Sequence, residues 1–167
     1  MAYKNKTYVA FDADSDIRYY RLMTAWKQND YTNFNFYNAH DLINIWQHSS
    51  EQTIKRNLHE RLNSTKIFIL LIGEKTKYLY RFVRWEIETA MNMNIPLIAV
   101  NLNGKRFIDE QRCPPILKDE LCLHISFNAK IMQKALEEWQ SHHSNLIKEG
   151  KSGPFYYPAD VYNDLGL

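Results

Sequence analysis

Apolar positions recur along this chain at two spacings, and stretches with one spacing alternate with stretches of the other. Short runs rich in β-branched and aromatic residues predict strands, whereas apolar residues three or four positions apart predict amphipathic helices. The predicted strands are Thr7–Phe11, Phe34–Tyr37, Lys66–Gly73, Ile95–Leu102 and Leu121–Phe127. The predicted helices lie at about Ser15–Asn29, Ser49–Leu62, Arg81–Met93 and Ala129–His143. The second helix is predicted to begin with a capping box formed by Ser49 and Gln52.

The order of these elements predicts the fold class. The runs Ile67–Ile72 and Leu97–Val100 are continuously apolar, which is typical of strands covered on both faces. Five strands that alternate with helices predict an α/β protein with one parallel sheet and helices on both faces. Because crossovers between parallel strands are right-handed, we expect a single doubly wound, flavodoxin-like sheet.

The C-terminal residues 149–167 are punctuated by glycine and proline and are rich in aromatic side chains. A free tail would rarely keep so many aromatic residues, because disordered segments are poor in them. We therefore expect a single domain over residues 1–167, with residues 149–167 as an aromatic extension docked on it.

Composition predicts a globular protein that binds neither nucleic acid nor a membrane. Apolar residues make up 45% and charged residues 24% of the 167 residues, and the formal net charge of +2 comes with no basic stripe. Cys113 and Cys122 lack metal-ligand spacing and are too few for a disulfide framework, which indicates a reducing compartment. The longest apolar run is too short to cross a bilayer, and the N-terminus has no signal-peptide pattern. We expect a cytoplasmic protein without a metal site.

The common motifs of α/β enzymes are missing from the sequence. It contains no G-x-G-x-x-G, no G-x-x-x-x-G-K-[ST] and no G-x-S-x-G, which excludes the standard dinucleotide, P-loop and nucleophile-elbow chemistries. Acidic residues follow the first strand at Asp12, Asp14 and Asp16, where they suit a helix N-terminus electrostatically. Receiver domains also gather acids there, but they need an acceptor aspartate after the third strand, where this chain has Glu74 and Lys75.

Glu86 interrupts the pattern of the predicted helix Arg81–Met93. The residues three or four positions away, which share its side of the helix, are Phe82, Val83, Thr89 and Ala90. Glu86 therefore lies on or beside the apolar face, where a carboxylate must be paired, neutralised or open to a cleft. Two interpretations remain: a glutamate at the rim that reaches solvent, or a cleft carboxylate whose pKa is raised by apolar neighbours.

Two stretches of the chain are similar to a known family. STKIFILLIGEKT is a buried strand that ends in LIG, with a hydroxyl residue, Thr76, soon after. YRFVRWEIETAMNMNIPLIAVNL supplies an arginine- and aromatic-rich helix start and a second buried strand. Together they resemble the TIR-like domains of bacterial anti-phage defence, the Thoeris sensor group in particular. The resemblance covers about Thr7–Leu102 and implies the same flavodoxin-like fold.

The resemblance also implies an activity and a catalytic residue. Enzymatic TIR domains cleave the bond between nicotinamide and ribose in NAD⁺, and the glutamate of the helix after the third strand is catalytic. The aligned residue here is Glu86. One carboxylate suffices for this chemistry because nicotinamide is already a good, positively charged leaving group, and the carboxylate can stabilise an oxocarbenium-like ribose. NAD⁺ would then be the substrate, and no cofactor is expected.

Position in the fold supplies the substrate-binding candidates. They are Phe11, Asp12, Asp14, Asp41, Trp46 and Arg84. All of them except Asp41 have a simpler explanation that the sequence leaves open: a core aromatic at position 11, helix caps at 12 and 14, packing within a loop at 46, and a pair with residue 88 at position 84. The aromatic partner of the catalytic glutamate also stays open, because Phe82 and Trp85 surround it in a different order from that of many TIR enzymes.

The resemblance implies partners but leaves the product open. Defence TIR domains of this kind convert NAD⁺ into an ADP-ribose-derived signal, often cyclic, that activates a separate effector protein. Water as acceptor gives hydrolysis, a group of the same molecule gives cyclisation, and an amino acid side chain gives a conjugate. A phage-derived trigger and self-association are further expectations. The alternative is a non-catalytic TIR-like module that binds other proteins through its loops, with Glu86 at its rim.

Overall fold

The computed structural model describes residues 6–28, 35–38 and 49–167. The predicted strands and helices occur in it in the order that the sequence predicts. The strands are β1 (Lys6–Ala10), β2 (Asn35–Asn38), β3 (Ile67–Ile72), β4 (Leu97–Asn101), β5 (Cys122–Ser126) and β6 (Pro154–Tyr156). The helices are α1 (Ala13–Gln28), α2 (Glu51–Asn63), α3 (Val83–Asn92), α4 (Ala129–Lys148) and α5 (Ala159–Asp164). Short 3₁₀ turns lie at Thr76–Tyr78 and Pro115–Leu117.

The strands form one parallel sheet in the order β2-β1-β3-β4-β5-β6. The chain first adds β2 on one side of β1 and then places β3 and the later strands on the other side. The strand order therefore reverses between β1 and β3, which is the point where open α/β sheets bind their ligands. This topology confirms the predicted flavodoxin-like α/β fold.

The sheet separates two hydrophobic cores because successive side chains of a strand point to opposite faces. Ile69 of β3 faces the first core, which also contains Met23 of α1 and Trp139 of α4. Phe68 faces the second core, to which α2 contributes Leu58 and α3 contributes buried residues of its own. Helices therefore cover both faces of the sheet, and α3 lies on the face opposite to α1 and α4.

The C-terminal segment adds a strand that the sequence pattern does not predict. In it, β6 pairs in parallel with β5, so that the sheet has six strands rather than the five expected. Tyr162 of α5 is fully buried, and its hydroxyl accepts a hydrogen bond from the backbone N–H of Ser126 at 3.3 Å. The guanidinium of Arg106 lies 4.3 Å from the centre of the Tyr162 ring. That the whole chain forms a single domain stays a prediction.

The start of α2 corrects one detail of the sequence analysis. Ser50, and not Ser49, is the N-cap residue, because the Ser50 hydroxyl oxygen accepts a hydrogen bond from the N–H of Thr53 at 3.2 Å. The predicted capping box between Ser49 and Gln52 is therefore wrong by one position. No helix in the described ranges is long and apolar enough to cross a membrane.

Candidate functional site

Glu86 lies in the first turn of α3, on the side of the helix that packs into the second core. Val83, Ile87 and Ala90 of the same helix are buried around it, and the glutamate itself is 3% exposed. This low exposure does not fit a rim glutamate that reaches solvent. No salt bridge joins Glu86 to any residue that the structure describes, so its carboxyl is buried without a neutralising cation there.

A tyrosine of the central sheet contacts the Glu86 carboxyl. The hydroxyl of Tyr8, in the middle of β1, donates a short hydrogen bond to Oε2 of Glu86. The Tyr8 ring is fully buried and stacks on Phe68 of β3, with ring centres 5.4 Å apart. Oε1 of Glu86 accepts no hydrogen bond from the described part of the chain.

Burial sets the protonation of this pair. It raises the pKa of Glu86 to about 7, and the hydrogen bond from Tyr8 opposes that rise by stabilising the ionised carboxylate. Burial, and next the neighbouring carboxylate, raise the pKa of Tyr8 well above its usual value, so the hydroxyl keeps its proton and remains a donor. Near neutral pH, Glu86 is therefore divided between its protonated and ionised forms.

A cleft of about 460 Å³ opens beside Glu86. It is lined by residues 11–14, which follow β1, by residues 78–83, which precede α3, and by Glu86 itself. This volume falls within the usual range for small-molecule sites. The cleft is bordered by the carboxyl end of β1, next to the reversal of strand order, which is where the fold predicts a ligand site.

The turn after β3 positions one wall of this cleft. The Thr76 hydroxyl oxygen accepts a hydrogen bond from the N–H of Gly73 at 2.9 Å and so fixes the turn that leads to residues 78–83. Gly73 lies close to Asp16, because a β-carbon at this position would lie 2.2 Å from Oδ2 of Asp16 and would displace that side chain. Burial and the nearby Asp12 raise the pKa of Asp16. The LIG segment and its following hydroxyl thus have a structural role beside the site.

The structure brings three of the candidates named from the sequence, Phe11, Asp12 and Asp14, to the Glu86 cleft. Phe11 lines the cleft and also stacks on Tyr20 in the first core, with ring centres 4.9 Å apart, and its role in substrate binding stays a prediction. Asp12 caps α1, since its Oδ1 accepts hydrogen bonds from the N–H groups of Asp14 and Ser15. Asp14 is exposed at the mouth of the cleft.

Arg84 lies outside the Glu86 cleft. Its Nε is 3.1 Å from Oε1 of Glu88, the pairing that the sequence left as the simpler explanation. It lines a neighbouring groove of about 320 Å³ together with Lys77 and residues 114–116. Asp41 and Trp46 lie outside the described residues.

Sequence reasoning did not single out two aromatic residues of this cleft. Tyr78 and Tyr80 line the cleft and are 59% and 63% exposed. Phe82 lines it as well, whereas Trp85 packs under Lys55, whose Nζ is 5.5 Å from the Trp85 ring centre. The grouping of aromatic residues just before a predicted helix start was the signal available in the sequence. No three His, Cys, Asp or Glu side chains are grouped to hold a metal within residues 6–28, 35–38 and 49–167.

The six parallel strands, the reversal of order between β1 and β3, and a carboxyl-bearing cleft at that edge define a flavodoxin-like α/β protein, an arrangement consistent with the TIR-like class. The family model of the TIR-like domain of the Thoeris protein ThsB matches residues 8–106, and the chain belongs to this family, whose role is anti-phage defence. A comparison with curated proteins gave no match. The matched region contains Tyr8, Glu86 and both walls of the cleft.

Proposed function

We propose that this protein cleaves the bond between nicotinamide and ribose in NAD⁺, with Glu86 as the catalytic residue. The observation that carries the proposal is the buried Glu86 carboxyl, which opens to a cleft and forms no salt bridge with any residue that the structure describes. A buried carboxyl without a charged partner destabilises a fold, and such groups concentrate at functional sites. Membership of the TIR-like family of ThsB supports the same activity.

The reaction needs a carboxylate for two successive steps. As the bond between nicotinamide and the ribose C1′ breaks, nicotinamide leaves with the electron pair and positive charge develops on the ribose, which ionised Glu86 stabilises. An acceptor oxygen then forms a bond to C1′ and passes its proton to Glu86. A carboxyl with a pKa of about 7 suits both steps near neutral pH, because it can hold the negative charge and then take the proton.

The remaining walls of the cleft offer contacts for the rest of NAD⁺. Phe11 and Phe82 supply ring faces on which nicotinamide can stack. Arg81 lines the cleft and, although its Nε is 3.0 Å from Glu51 at the surface, it is placed to meet a phosphate. Because Arg84 lies in the neighbouring groove, Arg81 replaces it in this role.

The product that we propose is an ADP-ribose-derived nucleotide, cyclic or linear, that reaches a separate effector protein. Membership of a Thoeris family supports such a signalling role in defence. A phage-derived trigger would start the reaction. NAD⁺ serves as a substrate in this proposal, and no bound cofactor takes part.

Incubation of the purified protein with NAD⁺, with and without lysate of phage-infected cells, tests the proposal. Mass spectrometry should detect nicotinamide, and the mass of the second product identifies the acceptor. Glu86→Gln should lower the rate by at least about a hundredfold, because it removes the charge that stabilises the ribose. Glu88→Gln is the matched control, since Glu88 is an exposed residue of the same helix and should leave the rate unchanged.

A different result would favour the alternative function. If the folded parent protein releases no nicotinamide under either condition, the non-catalytic interaction module becomes the better explanation. If the parent and Glu86→Gln release nicotinamide at equal rates, the protein is an enzyme but Glu86 is not its catalytic residue.

A further inference from the structure

The contact between Tyr8 and Glu86 goes beyond the proposed reaction because Tyr8 is not a wall of the cleft. The cleft is lined by residues 11–14, residues 78–83 and Glu86, while Tyr8 lies behind Glu86 in the second core. Tyr8 therefore reaches one carboxylate oxygen from the protein interior, and substrate would reach the carboxylate from the cleft. The two oxygens of Glu86 have different surroundings.

We propose that Tyr8 is a positioning residue that holds Oε2 of Glu86 from the core side and thereby presents Oε1 to the substrate in the cleft. This inference rests on the proposed function. It assigns to Tyr8 the orientation of the carboxylate and to Oε1 the contact with the ribose.

The position of Tyr8 on β1 makes it suited to this role. Its backbone lies in an interior strand, paired with Tyr37 of β2 on one side and with Phe68 of β3 on the other. Its ring is fully buried and stacks on the Phe68 ring with an angle of 12° between the planes. A tyrosine held in this way cannot swing out of reach, so the position of its hydroxyl oxygen is fixed in advance.

Other charged groups are placed less directly around Glu86. Asp12, Asp14 and Arg81 line the same cleft, and Arg61 of α2 acts electrostatically on Tyr8. None of them forms a hydrogen bond or an ion pair with Glu86 in the part of the chain that the structure describes. Tyr8 is thus the described group whose removal should act most directly on the protonation and orientation of Glu86.

Tyr8→Phe removes the hydroxyl and keeps the ring, so the stack on Phe68 and the strand pairing persist. The ionised carboxylate then loses a hydrogen bond while its burial stays the same, and we expect the pKa of Glu86 to rise by about one to two units. The measurement is a ¹³C NMR titration of protein labelled at the glutamate carboxyl carbons. The Glu86 signal is assigned by its absence from Glu86→Gln.

Tyr162→Phe is the matched control for this titration. Tyr162 is also fully buried and its hydroxyl also has a hydrogen-bond partner, but it belongs to the first core. The titration of Glu86 should be the same in Tyr162→Phe as in the parent. If Glu86 titrates at the same pH in Tyr8→Phe as in the parent, or if Tyr162→Phe shifts it equally, the positioning role is overturned.

Kinetics give a second readout that a merely structural role would not move. In Tyr8→Phe, we expect kcat for nicotinamide release at pH 7 to fall by about tenfold with KM nearly unchanged, and the acidic limb of the pH profile to move to higher pH. An unchanged kcat and pH profile in the active enzyme would overturn the proposal. The titration does not require the protein to be active. If the parent releases no nicotinamide, the proposed function is overturned. A rise in the pKa of Glu86 that occurs only in Tyr8→Phe would still support the contact of Tyr8 with the Glu86 carboxylate.

Discussion

A single side chain, Glu86, carries a carboxyl into a core that is otherwise apolar. Its place could be predicted from the spacing of Phe82, Val83 and Ala90 along the helix, because that spacing fixes which residues share a face. Tyr8 could not be predicted as its partner. The sequence pattern of a strand indicates only that such a tyrosine is a core aromatic. The contact between Tyr8 and Glu86 depends on how α3 packs across β1, and no local sequence pattern predicts that packing.

The raised pKa of Glu86 makes a prediction about stability. Between pH 4.5 and about 7, the folded protein keeps a proton on Glu86 that the unfolded chain has lost. The contribution of this group to stability is therefore full below pH 4.5 and is lost as the pH rises through about 7. A shift of this size corresponds to a loss of about 3 kcal/mol in the free energy of unfolding above pH 7.

Glu86→Gln should remove that loss, because the amide stays neutral and can still accept a hydrogen bond from Tyr8. We expect the variant to raise the free energy of unfolding by up to about 3 kcal/mol at pH 8 and by less than about 1 kcal/mol at pH 5. Urea denaturation at the two pH values measures the difference. Glu88→Gln should change stability by less than about 0.5 kcal/mol at either pH. If Glu86→Gln is less stable than the parent at pH 8, the ionised Glu86 carboxylate does not destabilise the folded protein as we expect.

The start of α2 shows what a local pattern leaves undecided at the scale of an element. Ser49 and Ser50 are adjacent, and either could cap a helix on residue type alone. The backbone decides between them: Ser50 has extended geometry, with φ −64° and ψ 154°, and its hydroxyl reaches the N–H of Thr53. Sequence patterns therefore predict that a helix exists better than they predict where it begins.

The two serines offer a direct comparison. Ser50→Ala should lower the free energy of unfolding by about 1 kcal/mol, because the N–H of Thr53 loses its hydrogen-bond partner. Ser49→Ala should lower it by less than about 0.5 kcal/mol. Thermal or urea denaturation of both variants checks the assignment. An equal or greater loss of unfolding free energy in Ser49→Ala would show that Ser49 is the N-cap residue.

At the scale of the whole molecule, the C-terminal segment belongs to the architecture of the sheet. Five strands could be predicted because each is a run of apolar or alternating residues, and a predicted helix separates each of the first three from the next. The sixth, β6, has three residues and no buried side chain, so it carries no pattern of its own. Its surroundings hold it in place: Phe155 of β6 packs against Trp139, and Tyr162 of α5 packs into the same first core.

Tyr162→Ala should therefore destabilise the molecule strongly. We expect a loss of about 3 to 5 kcal/mol in the free energy of unfolding, since the change leaves a large cavity in the first core and removes the hydroxyl that accepts from Ser126. Tyr156→Ala is the matched control, because Tyr156 lies on β6 but is 55% exposed, and its loss should stay below about 1 kcal/mol. Similar losses in both variants would show that α5 does not anchor the segment.

The shape of β6 has a consequence for how molecules of this protein meet one another. A parallel sheet whose outermost strand were as long and apolar as β5 would offer a row of free N–H and C=O groups to a strand of a neighbouring molecule. Here the outermost strand on that side has three residues, begins with Pro154, which has no N–H, and exposes Tyr156. Such a strand is a poor template for aggregation, and the C-terminal segment thus protects the concentrated protein as well as completing its fold.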